Sequence, residues 1–350
     1  LTTEERQEVL SLFTRRINER IPACYLTGEA WFAGLSFKSD SRALVPRSPI
    51  AELIEAGFEP WLGGREVNRA LDMCTGSGCI AIATAHYHPH WQVDAVDLSE
   101  DALALARENV ERLHADNVRL VHSDLFHNLD GEVYDLIVTN PPYVTHAETD
   151  ALPPEYSHEP ELGLRAGDDG LDLALEILRD APAHLSEHGL LICEVGESER
   201  ALVELLPELP LAWVEFKVGQ MGIFVAECAD LIAHHDRIAK LANARDASRA
   251  ASGENSSPVW LVGITAWPAR PSNGSGGCGG RSCPGSARSS ALLPGPLPRR
   301  DDRRCRGPRL RPGHCEQPMA TVAVHQQEFI VQMRQGKSQR APRPQRLRFH

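Results

Sequence analysis

No stretch of the 350-residue chain approaches the eighteen or more apolar residues of a membrane-spanning helix; the best run in its last third, Val259 to Trp267, is about half that length. The N-terminal Leu-Thr-Thr-Glu-Glu-Arg has neither the basic start nor the apolar segment of a secretory signal, so secretion is not expected. It also lacks an initiator Met, which carries the expectation that a segment precedes it. Nine cysteines occur without any C-x-x-C pair, which argues against both a disulfide framework and a zinc ribbon and fits a reducing cytoplasm. No internal repeat is visible.

Basic residues are scarce where most of the chain lies. Of 36 Lys+Arg and 48 Asp+Glu, residues 1–250 hold 20 and 43, a net charge of −23. Such a body repels phosphate backbones and attracts basic partners, so no sequence-specific nucleic-acid binding is expected of it. Residues 251–350 reverse the balance, with 16 Lys+Arg against 5 Asp+Glu and 12 each of Pro and Gly. Asn273-Gly-Ser-Gly-Gly-Cys-Gly-Gly has a linker composition and Pro294 to Pro312 is rich in Arg and Pro, so no packed core is available to order them. The expectation is a disordered tail over 236–350, with a composition resembling GC-rich DNA translated in a wrong frame.

The body has helical and alternating rhythms. Val9, Leu12, Phe13 and Ile17 recur at helical spacing, which predicts an amphipathic helix in an N-terminal region of 1–24. Residues 25–64 read as a β-hairpin linker, with Trp31, Phe32, Leu35 and Phe37 around Gly34, followed by a helix. From 65 to 235 short apolar strands alternate with helices: 70–73, 93–97, 117–121, 134–139 and 189–195 as strands, with helices between. That alternation means an α/β fold, a mostly parallel sheet covered on both faces. The segments 213–218 and 223–227 predict an antiparallel hairpin that closes it.

Two constellations carry chemistry. Asp72-Met-Cys74-Thr75-Gly76-Ser77-Gly78 follows a strand and opens a helix, so backbone amides and a helix N-terminus face a nucleotide-like ligand. Asp97, at the end of the next strand, is placed to accept from two ribose hydroxyls. As G-x-G-x-x-A, with Ala81, the loop suits a dinucleotide; as D-x-x-T-G-x-G it looks like the S-adenosylmethionine loop of class I methyltransferases.

Asn140-Pro141-Pro142-Tyr143 directly follows the strand Asp135 to Thr139. Two prolines rigidify the backbone and remove N–H donors, which leaves the Asn140 side-chain oxygen and the Pro141 carbonyl as fixed acceptors. A planar –NH2 group offers two donors to match them, and Tyr143 offers a face on which the flat group can lie. Acceptors on both protons oppose delocalisation of the nitrogen lone pair and stabilise the positive charge that develops on attack at a methyl carbon.

Together these residues resemble the HemK-type glutamine methyltransferases. Within that family, Trp31-Phe-Ala-Gly34, Leu44-Val-Pro-Arg47-Ser-Pro-Ile50, Cys74 to Ala83, Ser123-Asp-Leu-Phe126, His158 to Leu164 and Ile192-Cys-Glu-Val-Gly196 are similar to the PrmB branch, which acts on ribosomal protein L-3. The release-factor branch typically reads Pro-Arg-Pro-Asp-Thr-Glu where this chain has Pro46-Arg-Ser-Pro-Ile-Ala51. The resemblance implies a class I, Rossmann-like methyltransferase of seven strands with an antiparallel last strand and a partial helical N-terminal region. It further implies S-adenosyl-L-methionine as cofactor, with Asp72, Cys74, Thr75, Gly76, Ser77 and Gly78 lining its loop, Asp97 at the ribose, Asp124 near the adenine and Asn140 facing it. Asn140, Pro141, Pro142 and Tyr143 would hold the glutamine amide. Arg47 and Glu159 are candidates for the substrate entrance or, equally, structural ion-pair partners.

Adenine-amino DNA methyltransferases share an N/D-P-P-Y motif and remain an alternative, as do release factors as substrates. The −23 body disfavours DNA, since the phosphates would have to be met by the tail alone. His86, His88 and His90 hint at a metal, but Pro89 breaks the helix and no further ligand completes a set, so no metal site is expected.

Overall fold

The computed structural model describes residues 1–149, 151–164, 166–216, 222–252 and 346–347. Two compact units divide the chain: residues 1–258 with 337–350, and 259–336, the second lying wholly outside the described residues.

Helix α1 (Thr3–Asn18) is started by a capping box in which Thr2 accepts from the Glu5 amide and Glu5 reaches back to the Thr2 amide. It buries no residue. Its expected apolar face lies open, with Phe13 61% and Ile17 67% exposed, and Arg16 and Arg20 tie it to Glu155 at 2.8 Å. Helix α2 (Ala23–Thr27) leads into the antiparallel hairpin β1 (Glu29–Phe32) and β2 (Leu35–Lys38), with Ala33-Gly34 at its turn. Short α3 (Ile50–Glu55) buries Ile50, Leu53 and Ile54.

Then come β3 (Arg69–Met73), α4 (Cys79–Tyr87), β4 (Gln92–Asp97), α5 (Glu100–Leu113), β5 (Val118–His122), β6 (Tyr134–Thr139) and short α6 (His146–Thr149). They are followed by α7 (Asp172–His184), β7 (Leu185–Glu194), α8 (Glu199–Leu205), β8 (Ala212–Val214), β9 (Ile223–Glu227), α9 (Cys228–Ala233), α10 (His235–Ser252) and β10 (Arg346–Leu347). The main sheet runs β10-β8-β9-β7-β6-β3-β4-β5. Strands β5, β4, β3, β6 and β7 pair in parallel; β9 inserts antiparallel between β7 and β8, and the two-residue β10 adds to the β8 edge. Strand order reverses between β3 and β6, which is where open α/β sheets place ligands at their carboxyl ends.

Period-two patterning assigns the strands' side chains to two cores, with a register shift between Tyr134 and Leu136 in β6. Leu71, Met73, Tyr134, Ile137, Leu191, Cys193 and Phe224 pack on one face with α7, α9 and α10. Ala70, Leu136, Val138, Leu190, Ile192 and Val225 pack on the other with α3, α4 and the β1–β2 hairpin. Helix α4 is buried along almost all its length, wedged between sheet and α3, so it shows no amphipathic rhythm.

The expectation of a structureless tail from 236 is corrected up to Ser252 and at Arg346–Leu347, the strand β10. Helix α10 buries Ile238 and Ala242 in the first core, and its charges pair rather than dissolve. Arg245 makes a two-pronged contact with Asp169 at 2.5 Å and reaches Asp172 at 2.8 Å; Arg179 meets Asp246 at 2.7 Å; Arg249 bonds Glu176. The remainder of the expected tail, 253–345 and 348–350, lies outside the described residues. Replacing Arg245 by Ala leaves two part-buried carboxylates without their cation and is expected to cost about 1–2 kcal/mol. A thermal melt reads this as a drop of several degrees, whereas an unchanged midpoint would show α10 to be a passive appendage.

Candidate active site

The C-terminal ends of β3, β4 and β6 meet in one place, each delivering a sequence-predicted group. Beyond β3 the chain enters left-handed conformations at Cys74, Gly76 and Gly78 (φ +60°, +57° and +80°). Gly78 is the cap residue of α4 and offers no side-chain cap of its own; in the first turn the Ala81 amide is taken by Asp72, and the positive end of the helix dipole lies at the glycine loop. A Cβ at Gly78 would lie 3.1 Å from Ile82 and 3.2 Å from Ala106, so the glycine also lets α4 close on α5.

Asp72 holds this loop from below. Its Oδ2 accepts from the Thr75 hydroxyl and from the Ala81 amide at 2.9 Å, while its buried Oδ1 has no partner among the described residues. Burial pushes its carboxyl up to about 7. The folded state thus keeps a proton that the unfolded chain releases above about pH 4, and the stability this group contributes is full below that pH and lost as pH rises through 7. Asp72→Asn removes the titration. Between about pH 5 and 7.5 the wild-type melting temperature is expected to fall by several degrees relative to the variant's, and parallel melting curves would contradict the assignment.

Asp97 ends β4 and reaches across to the loop: Oδ2 accepts from the Gly76 amide and Oδ1 from the Ser99 amide, both at 2.8 Å. Burial raises its carboxyl above the ordinary range. Asp124 follows β5, the neighbouring strand; its carbonyl accepts from the His127 amide at 3.0 Å, and it is half-buried beside buried Leu125 and Phe126. Cys74 and Cys79 are packed against the loop, and burial pushes both thiols up, Cys79 to about 12, so both stay protonated at neutral pH.

Strand β6 is fastened to β3 by the Thr139 hydroxyl, which donates to the Met73 carbonyl at 2.9 Å. Asn140 therefore emerges next to the glycine loop. Among the described residues its side chain has no hydrogen-bond partner, and the Pro141 carbonyl accepts from no protein group. Pro141 and Pro142 are buried, and Tyr143 is half-buried with its hydroxyl donating to Glu194 Oε1 at 2.8 Å.

Arg47 and Glu159 do come together, at 2.7 Å, with the Arg47 guanidinium 4.9 Å from the Tyr156 ring centre. Glu159 is buried and accepts from the Val45 amide as well, so the pair pins the 43–48 segment. At one end of that segment Ala43 borders Gly76, and at the other Ser48 donates to Glu194 at 2.5 Å. Ser48, Glu194, Gly170, Gly196 and Ser198 were not expected at the site. Glu194 has two usable signals, its place in the Ile192-Cys-Glu-Val-Gly196 segment that carries the family resemblance and its being a lone acid closing the apolar run Leu190 to Cys193. His88 stacks on Trp91 at 3.8 Å and on Phe58, a packing role, and among the described residues no three metal-ligating side chains converge.

A glycine loop opening a helix, an acid at the next strand end and a 3-2-1-4-5-7-6 strand pattern with the seventh antiparallel define a class I S-adenosylmethionine-dependent methyltransferase. The methyltransferase small domain model matches residues 61–153, which contain the glycine loop and the Asn-Pro-Pro-Tyr turn. The chain is 77% identical over 245 residues to the ribosomal protein uL3 glutamine methyltransferase of Xanthomonas campestris, covering 70% of this chain and 80% of that one. It is 71% identical to that of Xylella fastidiosa, covering 70% and 78%. A methyltransferase structure from Pyrococcus furiosus is 19% identical with a TM-score of 0.40, covering 65% of this chain and 99% of that one. The chain belongs to the family of ribosomal protein uL3 glutamine methyltransferases.

Proposed function

We propose that this enzyme methylates the side-chain amide nitrogen of a glutamine in ribosomal protein uL3. The observation that carries the reading is Asn140-Pro-Pro-Tyr143, with two acceptors that no group among the described residues engages, fastened beside the glycine loop in a chain 77% identical to a uL3 glutamine methyltransferase. The loop fits S-adenosylmethionine: its left-handed glycines let a ligand approach the backbone at the positive end of α4, and Asp97 suits ribose hydroxyls. Asp72, Cys74, Thr75, Gly76, Ser77 and Gly78 would border the methionine end, Asp97 the ribose and Asp124 the adenine.

When bound, the cofactor supplies a methyl group on a positively charged sulfur. The chain's own residues do the rest. The Asn140 side-chain oxygen and the Pro141 carbonyl accept the two amide protons, which fixes the nitrogen and works against its delocalisation. Tyr143 stacks on the amide plane, and Pro142 keeps the turn rigid. As the nitrogen becomes positive, both acceptors strengthen; such fixed dipoles are each worth about 10²–10³ in rate. Arg47 and Glu159 act on the substrate side by pinning the 43–48 segment.

The acidic body suits a basic ribosomal protein and disfavours sequence-specific nucleic acid. Five described cysteines, all free, agree with a cytoplasmic enzyme, and no helix among the described residues is long and apolar enough to cross a membrane. The methyl-transfer unit, in this reading, runs from about residue 65 through α10 rather than ending at 235. The test is labelled methyl transfer offered to unmethylated uL3, peptide release factor and adenine-containing DNA in parallel. Label in uL3 alone is expected; label confined to release factor or DNA would overturn the proposal.

A further inference from the structure

Strand β7 lies beside β6 with Cys193 opposite Thr139, so Glu194 emerges next to Asn140 at the same end of the sheet. It is a carboxylate in an expensive place. Leu190 to Cys193 before it are buried apolar residues, Glu194 itself is 5% exposed, and an apolar side chain would pack there at no desolvation cost. Both of its oxygens are engaged: Oε1 by the Tyr143 hydroxyl at 2.8 Å and Oε2 by the Ser48 hydroxyl at 2.5 Å. Burial raises its carboxyl, and the Ser48 and Tyr143 donors and the nearby Arg47 charge work in the opposite direction.

The rest of Tyr143 is confined too. A Cβ at Gly196 would fall 2.5 Å from Tyr143 Cε2, so bare backbone closes against the ring. Ser198 Oγ donates to the Tyr143 carbonyl at 3.4 Å and to the Asp169 carbonyl at 2.8 Å. Packing limits where the ring sits, but only a directional bond to its hydroxyl fixes its tilt against the turn.

We infer that Glu194 is a positioning residue, which acts through the Tyr143 hydroxyl to hold the ring as the platform for the acceptor amide, with Ser48 as its second anchor. The inference rests on the assignment of Tyr143 to the amide. Loss of the bond lets the ring swing, so the amide nitrogen is presented off line while the cofactor loop is untouched. A misplacement of that kind costs about 10²-fold in rate.

Three variants test it: Glu194→Leu, of similar volume and without an acceptor; Glu194→Gln, which keeps an acceptor; and Glu194→Leu combined with Tyr143→Phe. Glu194→Leu is expected to lower kcat about 10²-fold with the affinity for S-adenosylmethionine within about threefold, and Glu194→Gln to recover most of the loss. In the Tyr143→Phe background, Glu194→Leu is expected to add less than about threefold, since the bond it breaks is already gone. An equal loss in both backgrounds, no recovery with Gln, or a loss carried by cofactor affinity would overturn the inference. Wild-type enzyme inactive on uL3 would refute the functional reading instead. Crystal structures of wild type and Glu194→Leu then decide the inference on their own, because an unmoved Tyr143 ring overturns it.

Discussion

Replacing Asn140 by Ala lowers kcat for methyl transfer about 10³-fold while S-adenosylmethionine binds with affinity within about threefold of wild type. The expected size follows from what is lost. Removing one preorganised hydrogen-bond partner of a charge-developing centre costs about 10²–10³, and the freed amide also loses its alignment. The cofactor loop is spared because its geometry is set by Asp72 and Asp97, whose bonds to Thr75, Ala81 and Gly76 do not involve Asn140. Calorimetric titration with the cofactor and single-turnover transfer separate the two effects. A variant that binds cofactor poorly but transfers at the normal rate once saturated would place Asn140 in the cofactor site instead.

Gly170→Ala is expected to cost about 2–4 kcal/mol of stability and about 10²-fold in activity, because two independent penalties coincide. Gly170 has φ +73°, a left-handed conformation that costs an L-residue about 1 kcal/mol or more. Its Cβ would also lie 2.1 Å from the Tyr143 carbonyl oxygen and 2.4 Å from Ser198 Oγ, a collision with backbone that the turn must yield to. Gly131→Ala is the control: its φ is +77°, yet a Cβ there meets nothing within 4 Å. Urea unfolding of the two variants isolates the steric part, and kcat shows whether moving the Tyr143 backbone disturbs the amide site. Equal losses at Gly170 and Gly131 would mean that the close approach to Tyr143 carries no energetic weight.

The parts of the fold and site that were legible in the sequence are those encoded locally. Strand–helix alternation announced the parallel sheet because each element's period is written within ten residues or so. The placing of Asp97 at the end of the strand after the glycine loop follows from a strand, a helix and a strand in succession, whereas its bond to the Gly76 amide shows only in the folded chain. What stayed hidden depends on distant chain meeting chain. Nothing near Glu194 shows that Ser48, 146 residues earlier, and Tyr143, 51 residues earlier, converge on it. Helix α10 falls within the expected tail because the Gly/Pro/Arg-rich composition beyond it is extended back to 236; its arginines are anchored on Asp169, Asp172 and Glu176, which only the folded chain brings near. Arg47 and Glu159 were singled out for the entrance or for an ion pair, and their 2.7 Å contact makes them partners of each other first.

The most direct test of the account is chemical identification of the product. After transfer of a labelled methyl group to uL3, acid hydrolysis of a methylated side-chain amide must break the amide bond and release the label as methylamine, leaving glutamate in the protein. The account predicts label recovered as methylamine, from one peptide containing glutamine, with none after reaction by Asn140→Ala. Label retained on a lysine or arginine side chain, or recovered as methylated adenine, would contradict it.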